Sequence, residues 1–574
     1  MGVLRDFFRK YGWNYIPGAI FLVLSTWIQT RAPLVLGNAI ELFTGSDYAA
    51  FAREAWRTLT IAVGVFFTRI AWRYFIIGTS REMEIYLRDR LFWHLEYLPI
   101  RFYSENRSGD LMAYAINDVG AVRMTFGMVM AQSLTAITSI GFSVNEMALG
   151  VHPRLTLFAL LPVPVAIFFI LFIGQSVQVK FRRVQELFSQ LSGHVQENIN
   201  GMRVLKAFAM EKQQYEHYQQ ESDDMRTANL RLSYTSALLS PAIQTVFGVS
   251  YAIGLVYGGH LVADGLISLG DYVAFNSYLT MIVAPVTSIG RIVNMLQRGL
   301  ASLKRLNALM VQPELKQFDR VDDGVPIRGG IEARHLSYSH PDNGQSALVD
   351  VSFTLAPGQK LGIAGKTGSG KSTLVLLLTK LLEAQEGQLF IDGRDIRTVP
   401  AASLRRAIGY VPQDGFLFNT TIEENIAFFT GASHEEVEAA AAQAGLSTDL
   451  SAMPLGLQTI CGEHGNHLSG GQRQRVSLAR AFVRNPAILL LDDTLSAVDT
   501  RTEARILENL HGELAGRTAI IISHRLSALA EADEILFMEN GRVAERGTHE
   551  QLLALGGRYA EMWNQQKEKE NANA

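Results

Sequence analysis

Six long apolar runs dominate the first half of this 574-residue chain and leave it few ways to fold. A helix needs about 20 residues to cross a hydrocarbon layer about 30 Å thick. Runs near 16–43, 55–79, 126–149, 153–177, 235–262 and 268–296 all reach that length. Helices buried in a large soluble core are the competing explanation. The stretch from Phe158 to Gly174, nearly free of polar groups, argues against it. An all-α membrane domain of six spans is therefore expected over 16–300. Ahead of it, Arg5, Arg9 and Lys10 alternate with Phe7, Phe8 and Trp13, a pattern that suits a helix over 1–15 lying at the inner interface. Basic residues before an apolar run also mark signal peptides. Here no small-residue cleavage pattern follows and five more runs do, so an uncleaved first span is expected.

The connections are unequal. Those at 44–54, 150–152 and 263–267 are short and carry almost no Lys or Arg. Those at 80–125 and 178–234 are long and basic, with Arg88, Arg90, Arg101, Arg107, Arg182, Arg183, Arg203 and Lys206. The positive-inside rule puts the long ones in the cytoplasm. Both termini then lie inside as well, as an even number of spans requires, and the chain is expected in the cell membrane. Charges recurring at three- and four-residue spacing make the long connections helical. Helices longer than the bilayer would project from it. Ionisable groups within spans are costly and face a cavity or a partner. Arg31, Arg69, Arg73 and Glu146 are the candidates, for a substrate path or for packing and snorkelling near helix ends.

The overall 48% of hydrophobic and 19% of charged residues average two unlike halves. Residues 301–330, with Pro313, Pro326, Gly329 and Gly330, read as a linker, and 331–564 as a soluble α/β domain with a polar tail over 565–574. At 574 residues, more than one domain is expected. A net charge of −3 gives no reason to expect a nucleic-acid partner. A single cysteine, Cys461, rules out an intramolecular disulfide and a multi-cysteine zinc site.

The second half carries a phosphate-binding loop. An apolar strand, Lys360 to Ala364, leads into Gly365, Lys366, Thr367, Gly368, Ser369, Gly370, Lys371, Ser372 and Thr373. This is the pattern GxxxxGK[ST] in its strand–loop–helix setting. Glycines let the backbone N–H groups surround phosphates, Lys371 reaches the β/γ-phosphates, Ser372 binds Mg²⁺, and a helix from Thr373 adds its positive end. A second apolar strand, Pro486 to Leu491, ends in Asp492, placed to hold the magnesium. Between them, Gly409-Tyr410-Val411-Pro412 runs into Gln413, and Ile520-Ile521-Ile522-Ser523 runs into His524.

With Leu468-Ser469-Gly470-Gly471-Gln472 between loop and acidic strand, this order of motifs resembles the ATP-binding cassette of ABC transporters, across nearly the whole chain. The resemblance implies a bacterial multidrug-type exporter half: a six-helix transmembrane domain followed by an α/β P-loop NTPase domain, an ATPase coupled to transport. Gln413 then corresponds to the Q-loop glutamine that senses magnesium and the attacking water. Ser496 to Asp499 corresponds to the D-loop, His524 to the switch histidine at the γ-phosphate, and 459–465 to the loop that feels the intracellular helices. The segments 102–111 with 117–119, and 197–208, resemble the two intracellular loops that couple the domains. In this family the LSGGQ segment closes over ATP held by another cassette. One copy of each element therefore implies a second half-transporter.

Two positions depart from the family pattern. The general base after the magnesium aspartate is normally glutamate, and here it is Asp493, whose carboxylate falls about 1.5 Å short on a fixed backbone. A displacement of 1 Å can cost on the order of 10² in rate. A weakened base beside an intact signature resembles one half of a heterodimeric exporter, with the glutamate in a non-identical partner; a tolerated variant that still hydrolyses is the alternative. The aromatic that stacks on adenine is replaced by His340, with Tyr338 two residues earlier and, by strand alternation, on the same face. The expected cargo is hydrophobic or amphipathic. A lipid or peptide exporter of the same fold, and an ATP-gated channel or regulatory membrane subunit, are the rival functions.

Overall fold

The computed structural model describes residues 2–45, 47–312, 324–340, 344, 346–494 and 516–573. The chain divides into two compact units, Met1–Leu98 with Tyr103–Pro313, and Glu314–Ala574 with Pro99–Phe102.

The first unit is all helix. Among the described residues, six helical segments are long and apolar enough to span a membrane: Leu4–Thr44, Tyr48–Glu96, Ser108–Val151, Pro153–Asn200, Glu211–Ala263 and Leu269–Met310. At 1.5 Å per residue the second would measure about 70 Å, more than twice the hydrocarbon thickness. The long connections are thus mainly continuations of the spans, broken by the short helices Ile100–Glu105 and Met202–Ala207. Phe66, Phe67, Phe168 and Phe172 stand exposed, a surface that suits hydrocarbon better than water. The leading helix, Gly2–Tyr11, buries Phe7 against Tyr86, with ring centroids 5.6 Å apart, and leaves Trp13 just beyond it exposed.

Close helix crossings depend on small residues, which let backbones approach. A Cβ on Gly270 would stand 2.5 Å from the Gly37 carbonyl oxygen, so those two helices touch through their backbones. The first span breaks between Gln29 and Ala32, where Pro33 lacks the N–H that would continue the ladder. The Tyr278 hydroxyl donates to the Thr30 carbonyl at that break, 2.9 Å away. Glu146 pairs with Arg31 at 3.1 Å, and Arg31 also lies over the Trp27 ring. These two charges answer one another, while Arg69 and Arg73 lie on an exposed face. Buried Asp118 accepts from Ser302 Oγ at 2.8 Å and from Arg305 Nε at 3.0 Å, tying the third helix to the sixth.

In the second unit the strands are β1 (Ile331–Ser339), β2 (Ser346–Leu355), β3 (Lys360–Gly365), β4 (Leu389–Ile391), β5 (Arg394–Asp395), β6 (Ile408–Val411), β7 (Ile488–Asp492), β8 (Thr518–Ile522), β9 (Glu534–Glu539) and β10 (Arg542–Gly547). One sheet has the order β2-β1-β4-β5 and pairs antiparallel; the other has β10-β9-β3-β8-β7-β6. From β9 to β6 the second sheet is parallel. Parallel strands covered on both faces read as near-continuous apolar runs: Ile488–Asp492 is apolar up to its final aspartate and Thr518–Ile522 after its first threonine, every residue of each being buried.

Three expected boundaries move. The sixth helix runs to Met310, so 301–310 is helix and not linker, because Leu306 and Leu309 still present a buried face. The polar tail over 565–574 is helical as far as Asn573, continuing the helix Arg558–Asn573 that buried Tyr559 anchors. The helix after the phosphate loop begins at Lys371, two residues before Thr373, with Gly370 in the left-handed region as its cap.

Candidate nucleotide site

The phosphate loop leaves the C-terminal end of β3, next to β8 and one strand away from β7, which ends in Asp492. Ligands of open α/β sheets bind at this carboxyl edge. The sheet order thus gathers motifs more than a hundred residues apart. A cavity of about 330 Å³ is walled by Thr367 to Thr373, Gln413, Asp492, Asp493, Ile522, His524 and His340, together with Ser346 and Ala347, which no motif had marked.

The loop fits a phosphate. Gly365, Gly368 and Gly370 all have positive φ, between 82° and 146°, which side chains seldom adopt. A Cβ on Gly365 would stand 2.9 Å from Ser369 Oγ, and one on Gly370 the same distance from Leu348. Ser369 Oγ is itself buried without a hydrogen-bond partner, a polar atom waiting for an acceptor or donor. Lys371 Nζ donates to the carbonyls of Gly365 at 2.8 Å and Lys366 at 2.9 Å, so its charge is held inside the loop.

Electrostatics favour a divalent cation beside it. Burial lowers the Lys371 ammonium, with Asp492 and Asp493 opposing that shift. Burial raises the Asp492 carboxyl, against the Ser372 hydroxyl that hydrogen-bonds it. A buried carboxylate whose charge is under-compensated, with a serine hydroxyl alongside, offers oxygen ligands of the kind Mg²⁺ prefers. Ser372, Asp492 and Gln413 would hold it.

Asp493 has φ of +48°, a left-handed conformation that aspartate tolerates better than most residues. Its Oδ1 accepts from the His524 backbone N–H at 3.3 Å, and its Oδ2 lies 3.5 Å from Gln413 Nε2. The structure therefore brings Gln413, Asp493 and His524 to one corner of the cavity. Gln566 holds that corner from behind: its Nε2 donates to the His524 carbonyl at 2.6 Å and its Oε1 accepts from Leu526 N–H at 3.0 Å. Sequence reading missed it, because a glutamine in a polar C-terminal helix carries no motif. His340 lines the cavity, and Tyr338 meets its ring edge-on with centroids 5.3 Å apart. Asp499 and the rest of the D-loop lie outside the described residues.

The signature lies elsewhere. Leu468 is buried, while exposed Ser469 caps the helix Gly470–Phe482. A capping box joins Ser469 and Gln472 reciprocally, at 2.9 and 3.3 Å. Gln472 Nε2 also donates to Asp449 at 3.1 Å, so this side chain shapes the helix start. Gly470 and Gly471 present the free amides of that first turn. Among the described residues walling the cavity of the phosphate loop, none comes from 468–472.

Residues 15–286 match the family model described as ABC transporter transmembrane region, and residues 348–496 the one described as ABC transporter. A Bacillus subtilis protein described as a probable multidrug resistance ABC transporter ATP-binding/permease protein, YheI, is 38% identical, covering 98% of this chain and 96% of its own. The chain belongs to the ABC transporter family. The Escherichia coli multidrug resistance-like ATP-binding protein MdlA is 34% identical over 98% of this chain and 96% of its own. The structure of a bacterial Atm1-family ABC exporter with ATP bound superposes with a TM-score of 0.77 at 28% identity, covering 98% of this chain and 99% of that one. The chain is accordingly a multi-pass membrane protein with an exporter fold, an ATPase that uses ATP with Mg²⁺ to drive export.

Proposed function

We propose that this exporter moves hydrophobic or amphipathic compounds as one half of a two-subunit transporter, with both termini in the cytoplasm. The observation that carries the pairing is the separation of Ser469, Gly470 and Gly471 from the chain's own phosphate cavity. Ser469 is exposed and the two glycines half-buried at a pre-capped helix start, suited to a γ-phosphate held by another chain. Mg²⁺, when bound, neutralises charge on the β- and γ-phosphates. Lys371 swings from its own loop carbonyls to the phosphates, Gln413 and His524 orient the attacking water, and Asp493 accepts its proton.

Asp493 is the weak member. Its short carboxylate is drawn back to the His524 N–H, so this chain's own site turns over slowly. The fast site then sits on a non-identical partner that carries glutamate and is closed by this chain's signature. A lipid cargo is a second reading, favoured by 33% identity to the ATP-dependent lipid A-core flippase of Syntrophus aciditrophicus over 82% of this chain. The decisive comparison is Mg·ATP hydrolysis by the purified chain against the chain reconstituted with its partner. Vigorous turnover by the chain alone, or by a monomer, would sink the proposal.

A further inference from the structure

Outside the nucleotide site, one cluster on the helical extensions has the makings of a metal centre. His194 lies on the helix Val163–Asn200, beyond the apolar span, and His217 and Glu221 lie one turn apart on the helix Glu211–Ala237. Residues four apart share a helix face, so His217 and Glu221 both point at the neighbouring helix that carries His194. His194 Nδ1 is 2.8 Å from Glu221 Oε2, and His217 Nε2 is 3.5 Å from Glu221 Oε1. One ligand atom from each residue falls within 4.8 Å of the others.

An ion bound at about 2.0–2.2 Å by imidazole nitrogen and carboxylate oxygen sets its tetrahedral ligands about 3.4 Å apart. The two measured separations from Glu221 bracket that spacing, so small rotations bring all three groups onto one ion. Gln214 Oε1 lies 2.8 Å from His194 Nε2. As acceptor of that N–H it turns the Nδ1 lone pair toward the cluster, the outer-shell support that ligating histidines ordinarily have. The cleft around the group, about 860 Å³, leaves a fourth position for water. His217 is exposed and His194 half-buried, so an ion can enter from solvent.

The bland alternative is a salt bridge. Hydrogen bonds donated to Gln214 and Glu221 raise the His194 imidazole, which is the protonated partner that alternative needs. His217 reaches the same carboxylate through its other oxygen, at 3.5 Å, and its ring stands 4.8 Å from the His194 ring, so all three groups converge on one point of the cleft.

We propose that His194 Nδ1, His217 Nε2 and Glu221 form a site for a borderline transition-metal ion of the Zn²⁺ class, with water as fourth ligand and Gln214 as positioning residue. Such an ion staples the two helices on either side of the short helix Met202–Ala207 and stiffens that hairpin. Two imidazoles exclude Mg²⁺ and Ca²⁺ as its natural occupants. Its ligands share no residue with Ser372, Asp492 and Gln413, which would hold magnesium at the phosphate loop.

The test uses the full chain in lipid nanodiscs, free of any histidine tag and stripped with chelator. Co²⁺ should give an intense visible d–d absorption that Zn²⁺ abolishes, and dialysis should leave one Zn²⁺ per chain. His217→Asn, at an exposed position that leaves folding intact, should weaken binding at least about 100-fold, and Gln214→Ala roughly 10-fold. Asp492→Asn should leave it unchanged. Absence of the cobalt band, or a stoichiometric ion retained in both His217→Asn and His194→Asn, overturns the proposal.

Discussion

Replacing Asp493 with glutamate adds one methylene and carries the carboxylate about 1.5 Å further from the backbone. In the wild type that carboxylate is tethered at 3.3 Å to the His524 N–H and lies 3.5 Å from Gln413. If the shortfall limits turnover, recovering it should raise kcat by about 10- to 100-fold, or about 1.4–2.7 kcal/mol of barrier. Glutamate accepts a left-handed φ less readily than aspartate, at a fraction of the roughly 1–2 kcal/mol such backbone costs. That strain is common to ground and transition states, so it lowers thermal stability and not the rate. The ATP contacts through Lys371 and Ser369 are untouched, and KM should stay within roughly twofold. The assay is Mg·ATP hydrolysis by the purified chain in nanodiscs, with nucleotide binding measured alongside and Asp493→Asn as the charge-removing control. The argument fails if Asp493→Glu binds ATP normally yet hydrolyses it no faster. It fails equally if Asp493→Asn matches the wild type.

Burial holds the Asp492 carboxyl above its ordinary range, so the folded state takes up its proton more readily than the unfolded chain. Its contribution to stability is therefore complete below the unfolded value and declines as pH rises through the folded one. At neutral pH, Asp492→Asn should raise the apo melting temperature by about 2–4 °C, for roughly 1 kcal/mol, while Mg·ATP no longer adds stability, as differential scanning would show. Gly270→Ala forces the helix pair apart at Gly37 and should lower the melting temperature by several degrees; Gly64→Ala, whose nearest neighbour is 3.6 Å away, should not. Gln566→Ala releases the loop that carries His524 and should reduce kcat about tenfold with ATP affinity little changed; equal losses in kcat and affinity would point to general unfolding.

The spans and the motif set were legible because each is local. Hydrocarbon demands an unbroken length of apolar residues, and a phosphate loop needs its glycines, lysine and serine within one turn of chain. Gln566 was invisible because its role comes from distance: it meets the His524 carbonyl 42 residues away, with no periodicity between them. Asp118 and Arg305, separated by 187 residues, are likewise ordinary surface types until a helix crossing buries the aspartate and brings the arginine onto it.

By itself, then, the order of residues determined six apolar runs long enough to span, a β–loop–helix of phosphate-loop pattern, a carboxylate at the end of an apolar strand and an aspartate directly after it. Only tertiary structure decided that Arg31 and Glu146 neutralise one another, that the sixth helix continues to Met310, and that two histidines and a glutamate converge on neighbouring helices. The reason is physical. Solvent preference and backbone chemistry are written into neighbouring residues, whereas the pairing of side chains depends on which distant segments packing brings within a few ångströms.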